Sequence, residues 1–492
     1  MSASVLSQPA AVSTRSAAGR GARGLVAAAN EKLGFVTDPM RLLMFLLTVL
    51  TVSQVHQHYP MLMKLRPALL LVIGSAGYAY LNPRYLTKAN VLELWPMRVI
   101  AVLGVLACCS AVFGISLGRT ATFILDVYVK VLVYALLLAV CVRTAADLFT
   151  LVWGYVVGCG ILSFFSLFVF GIKRTGSAEF ARLDHLYMYD ANDIGVIMMI
   201  GLPLTLLLLA SVRGAGRRIL LLAIALGISA TIARSGSRGG FLGFAVVGVA
   251  ALLLVNSVSV GRKTGIMMAA LVALTLGAPP GYWKQMGTVL QPKEDYNYST
   301  IDGRKALAER GMGYMMQYPL FGLGMNNFAR AECTISPKLR GLSRSGPIRC
   351  TPPHNSYVQA GSELGIPGLV IWVSLVIALI VAPLRMRRRL PRMWRRGSET
   401  ERFIYGAASF FPLAMIGFAV TAFFVTFAWL EPLYIMTAFT TGLFIVVRER
   451  ASRRTVSMTI PAAAAPIPRD VPGWRVMRSA RRFAERTPGA PE

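Results

Sequence analysis

The chain has 492 residues but only four histidines, and one of them opens the string Pro352-Pro353-His354-Asn355-Ser356-Tyr357. An imidazole near its ordinary pKa can take a proton from a hydroxyl group. The two prolines fix an extended approach and suit a helix start. His354 is therefore expected close to the N-terminus of a helix. Helical spacing puts Tyr357 about one turn on, on the same face. Asn355 and Tyr357 are candidate substrate contacts. Glu363 follows near the opposite face of a straight helix, so it is expected to fix the loop or a neighbouring helix rather than to touch His354. Taken alone, His354 also fits a plainer reading, an interfacial histidine making one hydrogen bond.

Two further strings offer anion binding. Arg234 and Arg238 stand in Arg234-Ser235-Gly236-Ser237-Arg238-Gly239-Gly240-Phe241. Guanidinium groups bind phosphate through paired hydrogen bonds, glycines let backbone approach a ligand, and Ser237 with the N–H groups of a helix start adds donors. The competing reading is that charges at a span end snorkel to the interface. Arg304 ends Ile301-Asp302-Gly303-Arg304. A short amphipathic helix along the membrane is expected after it, closed by the glycine-rich turn Pro319-Leu320-Phe321-Gly322-Leu323-Gly324. The chain carries no P-loop, dinucleotide fingerprint, nucleophile elbow or His/Cys metal cluster. No cofactor and no metal are expected.

These residues need elements to hold them, and composition says which. The chain is 55% hydrophobic and 15% charged, against about 25% charged in a soluble domain. Long apolar runs centre on 41–56, 67–81, 97–117, 121–142, 147–172, 193–212, 217–233, 240–260, 264–283, 365–384, 403–428 and 431–447. Each can cross a hydrocarbon core about 30 Å thick as a helix that satisfies its own backbone. The expected fold is an all-α, polytopic integral membrane protein of about twelve transmembrane helices. One large external loop separates the ninth and tenth. The first apolar run reads as a retained span rather than a cleaved leader.

Orientation follows from the basic residues, which collect in cytoplasmic loops. With the N-terminus inside, alternate loops place Arg143, then Arg213, Arg217 and Arg218, then Arg262 and Lys263, and the dense run Arg385 to Arg396 on that side. Both termini are then cytoplasmic and the candidate residues external. The net charge of +29 is accounted for by this bias, so nucleic acid is not an expected partner. The organisation read from this is a disordered cytoplasmic 1–38, spans over 39–283, a large external loop over 284–364, spans over 365–447 and a basic cytoplasmic tail over 448–492. Two of the six cysteines, Cys333 and Cys350, lie in the external loop. In an oxidising compartment they are expected to pair, a closure contributing roughly 3 kcal/mol.

The order Ser-Arg-Gly-Gly, then Gly-Arg, then Pro-Leu-Phe-Gly-Leu-Gly with Phe328 beyond, then His-Asn-Ser-Tyr and Glu-Leu-Gly, resembles the O-antigen ligase and polymerase superfamily over roughly residues 180–385. Tyr189-Asp190-Ala191-Asn192-Asp193 is similar to that family's Asp-Pro-Asn-like stretch, with Ala191 in place of the proline. The resemblance implies transfer of a glycan from undecaprenyl diphosphate to an acceptor hydroxyl on the periplasmic face of a bacterial inner membrane. It implies catalytic roles for Arg238, Arg304 and His354. Arg234, Ser237, Asn355 and Tyr357 would contact substrate. The partners would be the lipid-linked donor, a glycan or lipid A core acceptor, and membrane lipid. Protein-glycosylating members often carry a second histidine before the His-Asn pair; prolines stand there here, which weighs against a protein acceptor. Ligase and polymerase share the donor and are not separated by these motifs. A lipid-linked-sugar transporter or flippase is the rival class. Its site would lie near mid-membrane, where Asp126 and Lys130 stand four apart and could pair on one helix face.

Overall fold

The computed structural model describes residues 33–35, 38–83, 85, 91–175, 180–184, 189–255, 258–289, 291, 302–340 and 349–459. Most of the segment 1–38, expected to be disordered, and the tail beyond 459 fall outside the described residues, whereas helix continues from the last span to Thr459, into the segment read as a basic tail. Each apolar run read from the sequence contains a helix. The helices are α1 Pro39–Ser53, α2 Pro60–Leu65 and α3 Pro67–Leu81, α4 Trp95–Phe113, and α5 Leu117–Phe123, which continues through a π turn at Ile124–Tyr128 into α6 Val129–Cys141. Next come α7 Ala145–Phe164, α8 Ala191–Ser211, α9 Ala215–Arg234, α10 Arg238–Leu254 and α11 Val260–Gly277. Among the described residues nine helical stretches are long and apolar enough to cross a membrane; α1 and α10 are shorter apolar helices.

Local signals explain the starts. Prolines open α1, α2 and α3, where a missing N–H costs nothing. Capping boxes open α7 at Thr144 and Asp147 and α8 at Asp190 and Asp193. In each, two otherwise orphaned N–H groups find side-chain acceptors. A short antiparallel hairpin, β1 Ile172–Thr175 and β2 Phe180–Leu183, lies between α7 and α8.

Helix α8 is the most enclosed of the spans, and the stretch Glu399–Phe424 is next. The close packing of α8 against α10 has a stated cause. A Cβ built on Gly195 would sit 3.3 Å from the Cα of Gly240, so small residues let the two backbones meet.

The large loop is partly helical. Short α12 Tyr282–Gly287 is followed by α13 Arg304–Gln317 and α14 Phe328–Thr334. The helix α15, Ser356–Arg389, begins well before 365, where the apolar run suggested. It is broken at Gly365 (φ 71°, ψ −171°). The glycine-rich turn docks into that break through main chain. Ile366 N donates to Pro319 O at 2.8 Å, Leu323 N to Ser362 O at 2.8 Å and Gly324 N to Glu363 O at 3.0 Å. Gly322 and Gly365 both have left-handed backbone, and a Cβ on either would fall 2.5 Å from a carbonyl oxygen across the seam. Only glycine meets both demands.

One boundary differs more. The apolar run 403–428 reads as a single span, but α16 Glu399–Thr421 stops early. Residues 422–424 make a 3-10 turn, and the chain stays irregular until α17 begins at Glu431 (Glu431–Thr459). Non-helical backbone at such depth is tolerated where protein satisfies it, and here it is satisfied fully enough to organise the site. By contacts the chain divides into a unit over 1–447 and a second over 448–492. All candidate residues lie in the first.

Candidate active site

The segment 422–430 is where the candidate residues meet. Ser356 Oγ donates to Val425 O at 2.9 Å and accepts from Phe427 N at 3.0 Å. Gln359 Oε1 accepts from Ala428 N, and Trp372 Nε1 donates to Ala428 O. Trp429 Nε1 donates to Glu363 Oε2 at 2.7 Å. Each link joins this segment to α15, so its backbone groups are paired without a regular element.

His354 sits on the near side of that web. Its backbone N donates to Thr426 Oγ1 at 3.1 Å. Its φ of 45° is left-handed, a conformation costing about 1–3 kcal/mol for a residue with a side chain. Asn355 then caps α15: its Oδ1 accepts from Tyr357 N and Val358 N. The bent approach and the cap together set where the imidazole goes. Burial, then the cations Arg304 and Arg182, lower the His354 pKa below its ordinary value, with Asp190 opposing them. The imidazole is therefore neutral at pH 7, the form that accepts a proton.

Arg304 stands at the first position of α13. Its guanidinium carbon lies 5.3 Å from the centroid of Phe424, a cation–π contact of about 0.5–1 kcal/mol. The same ring lies against Gly239, where a Cβ would come within 2.7 Å of it. Phe424 thus touches the arginine of one element and the backbone next to the arginine of another. Arg238 is the first residue of α10, and its Nη1 donates to Thr288 Oγ1 at 3.0 Å. The turn before it is propped by Gln285, whose Nε2 donates to Gly236 O.

Other candidates have different partners. Arg234 Nη2 donates to Phe170 O at 3.3 Å. Ser237 is buried; its hydroxyl donates to Asn192 Oδ1 and accepts from Gly240 N as the cap of α10. Tyr357 donates to Ala419 O at 2.8 Å and stacks on Phe423. Ser237, Asn355 and Tyr357 thus hold backbone in place. Glu363 is also buried, and accepts from Phe328 N as well as Trp429. No contact joins it to His354.

Arg304 is positioned by a charge cluster that the motifs did not indicate. Buried Glu332 takes a bidentate pair from Arg310, the shortest arm 2.7 Å, with Tyr314 OH at 2.9 Å and Lys338 Nζ at 3.1 Å. Lys338 also reaches Asp302 Oδ1 at 2.9 Å and Arg349 O at 2.8 Å. Asp302 is two residues before Arg304. The Cys333–Cys350 disulfide, with Cα atoms 5.2 Å apart, ties the end of α14 to the irregular segment leading into His354. Removing one partner of such a buried network leaves charge uncompensated. Glu332→Gln is expected to cost about 3–5 kcal/mol of loop stability. Faster proteolytic nicking between α12 and α15, with the rest of the chain intact, would register it.

Sequence reading missed four residues: Phe424 and Thr426 from the irregular segment, and Arg182 and Glu332. Asp190 was visible only as part of a string. A buried carboxylate such as Glu332 leaves no periodic trace, because its partners are far apart in the chain. Among the described residues no group of three or more His, Cys, Asp or Glu side chains is arranged to hold a metal ion.

With this geometry in place, comparison with known families finds a match over one segment. Residues 220–373 match the family model for O-antigen ligase. The match covers about a third of the chain and contains Arg234, Ser237, Arg238, Arg304, His354, Asn355 and Tyr357. It supports the O-antigen ligase superfamily and, with the apolar helices, a multi-pass membrane enzyme of the glycosyltransferase type. None of the curated proteins compared matches the chain. The O-antigen ligase segment ends inside α15, so Phe424 and Thr426 lie beyond it.

Proposed function

We propose that this protein transfers a glycan from undecaprenyl diphosphate to an acceptor hydroxyl at the periplasmic face of a bacterial inner membrane, with both termini cytoplasmic. The observation that carries this reading is the meeting on one irregular segment of His354, anchored on Thr426, Arg304, stacked on Phe424, and the Arg238 turn, whose Gly239 lies against the same ring. Arg238 and Arg304 hold the diphosphate and stabilise the charge that grows on it as it leaves. His354 takes the proton of the acceptor hydroxyl. The acceptor oxygen bonds to the anomeric carbon. The bond from that carbon to the diphosphate oxygen breaks, and its electron pair stays with the lipid diphosphate. The outcome is inversion, and the donor supplies the driving force, so no nucleotide is required. The family match supports the reaction class, and the paired arginines support an anionic donor.

The test is transfer of a radiolabelled undecaprenyl-diphosphate glycan by the full chain in lipid nanodiscs, offered lipid A core or more donor. Product on lipid A core is expected of a ligase, and lengthened carrier-linked chains of a polymerase. Donor binding without either product would exclude both acceptors; absence of donor binding would put the transporter reading ahead.

A further inference from the structure

Two spans that lead to the site meet again at their other ends. Helix α8 runs from its cap Asp190, whose charge reaches His354, to Ser211. Helix α16 runs from Glu399 to Thr421, just before Phe424. They are about 32 Å and 35 Å long, close to the thickness of a hydrocarbon core. Beyond Ser211 the chain turns through residues 212–214 into α9, and that turn lies against the start of α16. Arg402 Nη2 donates to Ser211 O at 3.1 Å, and Arg213 Nε lies 3.9 Å from Glu399 Oε1.

Charge at this corner does not balance. The charged groups that bear on Arg402 are Arg213, Glu399 and Arg218, so three cations share one carboxylate. That carboxylate is a weak counterion. Its distance to Arg213 is at the outer limit of an ion pair, and the Arg213 side chain is 66% exposed. Arg402 Nε is buried with no hydrogen-bond partner. A buried donor on a cation without an acceptor is uncommon and costly. Arg217 and Arg218 are exposed, and among the described residues neither has an ion-pair partner.

The bias that sets orientation does not explain this arrangement. It asks only for positive charge in a loop, which arginines spread apart in water would satisfy. Here cations from two different spans converge on one helix end. The space in front of them is open, since a Cβ built on Gly214 or Gly216 would meet nothing within 4 Å. Directly after Arg217 and Arg218, α9 presents Ile219, Leu220 and Leu222, all exposed, on a helix long and apolar enough to cross a membrane. Such side chains face acyl chains. Cations at headgroup level beside a lipid-facing apolar surface fit a molecule with an anionic head and a hydrocarbon body.

We propose that this corner binds an anionic phospholipid. Arg213 and Arg218 meet its phosphodiester through paired hydrogen bonds, and Arg402 adds charge from behind them. The acyl chains lie along Ile219 and Leu222. A zwitterionic lipid offers the same phosphate but brings its own ammonium, which the three cations repel. The bound lipid holds the α8–α9 turn on α16, and so joins the two spans that lead to Asp190 and Phe424. The proposal does not draw on the transfer reading.

The test uses the full chain in nanodiscs of equal phosphatidylglycerol and phosphatidylcholine with matched acyl chains, released into native mass spectrometry. Phosphatidylglycerol is expected to stay bound in preference to phosphatidylcholine. Its retention should fall about tenfold with Arg213→Gln plus Arg218→Gln, the loss expected from one or two charge-assisted hydrogen bonds. Arg388→Gln plus Arg389→Gln removes the same charge from exposed arginines that do not bear on Arg402, and should leave retention nearly unchanged. Thermal unfolding supplies a second readout. Phosphatidylglycerol should raise the Tm of the wild-type chain and of the 388/389 variant above that in phosphatidylcholine alone, but not that of the 213/218 variant. Equal retention of the two lipids overturns the proposal. Equal loss in both double variants also overturns it, reducing the effect to bulk attraction between charges. Displacement by millimolar inorganic phosphate would mark a site for a free anion and overturn it as well.

Discussion

Replacing His354 by Ala is expected to lower glycan transfer by about 10²–10⁴-fold, the usual contribution of a positioned general base. Membrane insertion and folding should be unchanged, because the contact holding this residue is its backbone N to Thr426, which alanine retains. The pH profile gives a sharper result. Burial and Arg304 lower the imidazole pKa, so the base is neutral and competent above that value. Activity should fall as pH drops through it. The acid limb of kcat/KM should therefore lie below about 6.5, the ordinary imidazole value. Binding the donor places a diphosphate against Arg304 and cancels part of that cation's field. The acid limb of kcat, which reports the bound complex, should lie higher than that of kcat/KM. Coincident limbs, or a profile unaltered in His354→Ala, would remove the base assignment.

Arg304→Ala and Arg238→Ala should each reduce kcat by about 10²–10³-fold, as loss of a preorganised group opposite developing charge does. The double variant should lose less than the product of the two, because they act on one diphosphate. The two arginines are separable by a second readout. Arg304 is one of the cations that lower His354, and Arg238 is not among them. Arg304→Ala should move the acid limb upward, whereas Arg238→Ala should leave it in place. Lysine at 304 should keep the limb low but lose the bidentate grip on phosphate, giving intermediate transfer. An Arg238→Ala limb that moves as far as that of Arg304→Ala would contradict the arrangement.

Hydropathy made the helices legible, because a span must satisfy its own backbone and so announces itself as an unbroken apolar run. Every such run contains a helix. Charge and spacing made His354, Arg304 and Arg238 legible, since each lies in a short local string. What could not be read is what joins distant strings. The run 403–428 is uniformly apolar, and nothing in its composition marks the stop at Thr421 or the irregular segment after it. That segment is specified by its partners Ser356, Gln359, Glu363 and Trp372, which lie far back in the chain. Ser237, Asn355 and Tyr357 illustrate the converse. Their types suit ligand binding, but caps and backbone contacts employ the same groups, and the structure assigns them those partners. Asp126 and Lys130 stand four apart and could pair on one helix face; a π turn runs through Asp126, an irregularity that residue spacing alone does not convey.

The irregular segment also sets a limit on modularity. The matched stretch 220–373 holds both arginines and the histidine, and it would look like a portable cassette. Its histidine is nonetheless anchored from Thr426, one arginine rests on Phe424, and an acid that bears on the histidine is Asp190. A chimera exchanging that stretch alone would import reactive groups into another chain's scaffolding. Recombination between related chains should therefore succeed when its breakpoints move 189–193 and 422–431 together with the cassette, and the three blocks should be inherited as one unit.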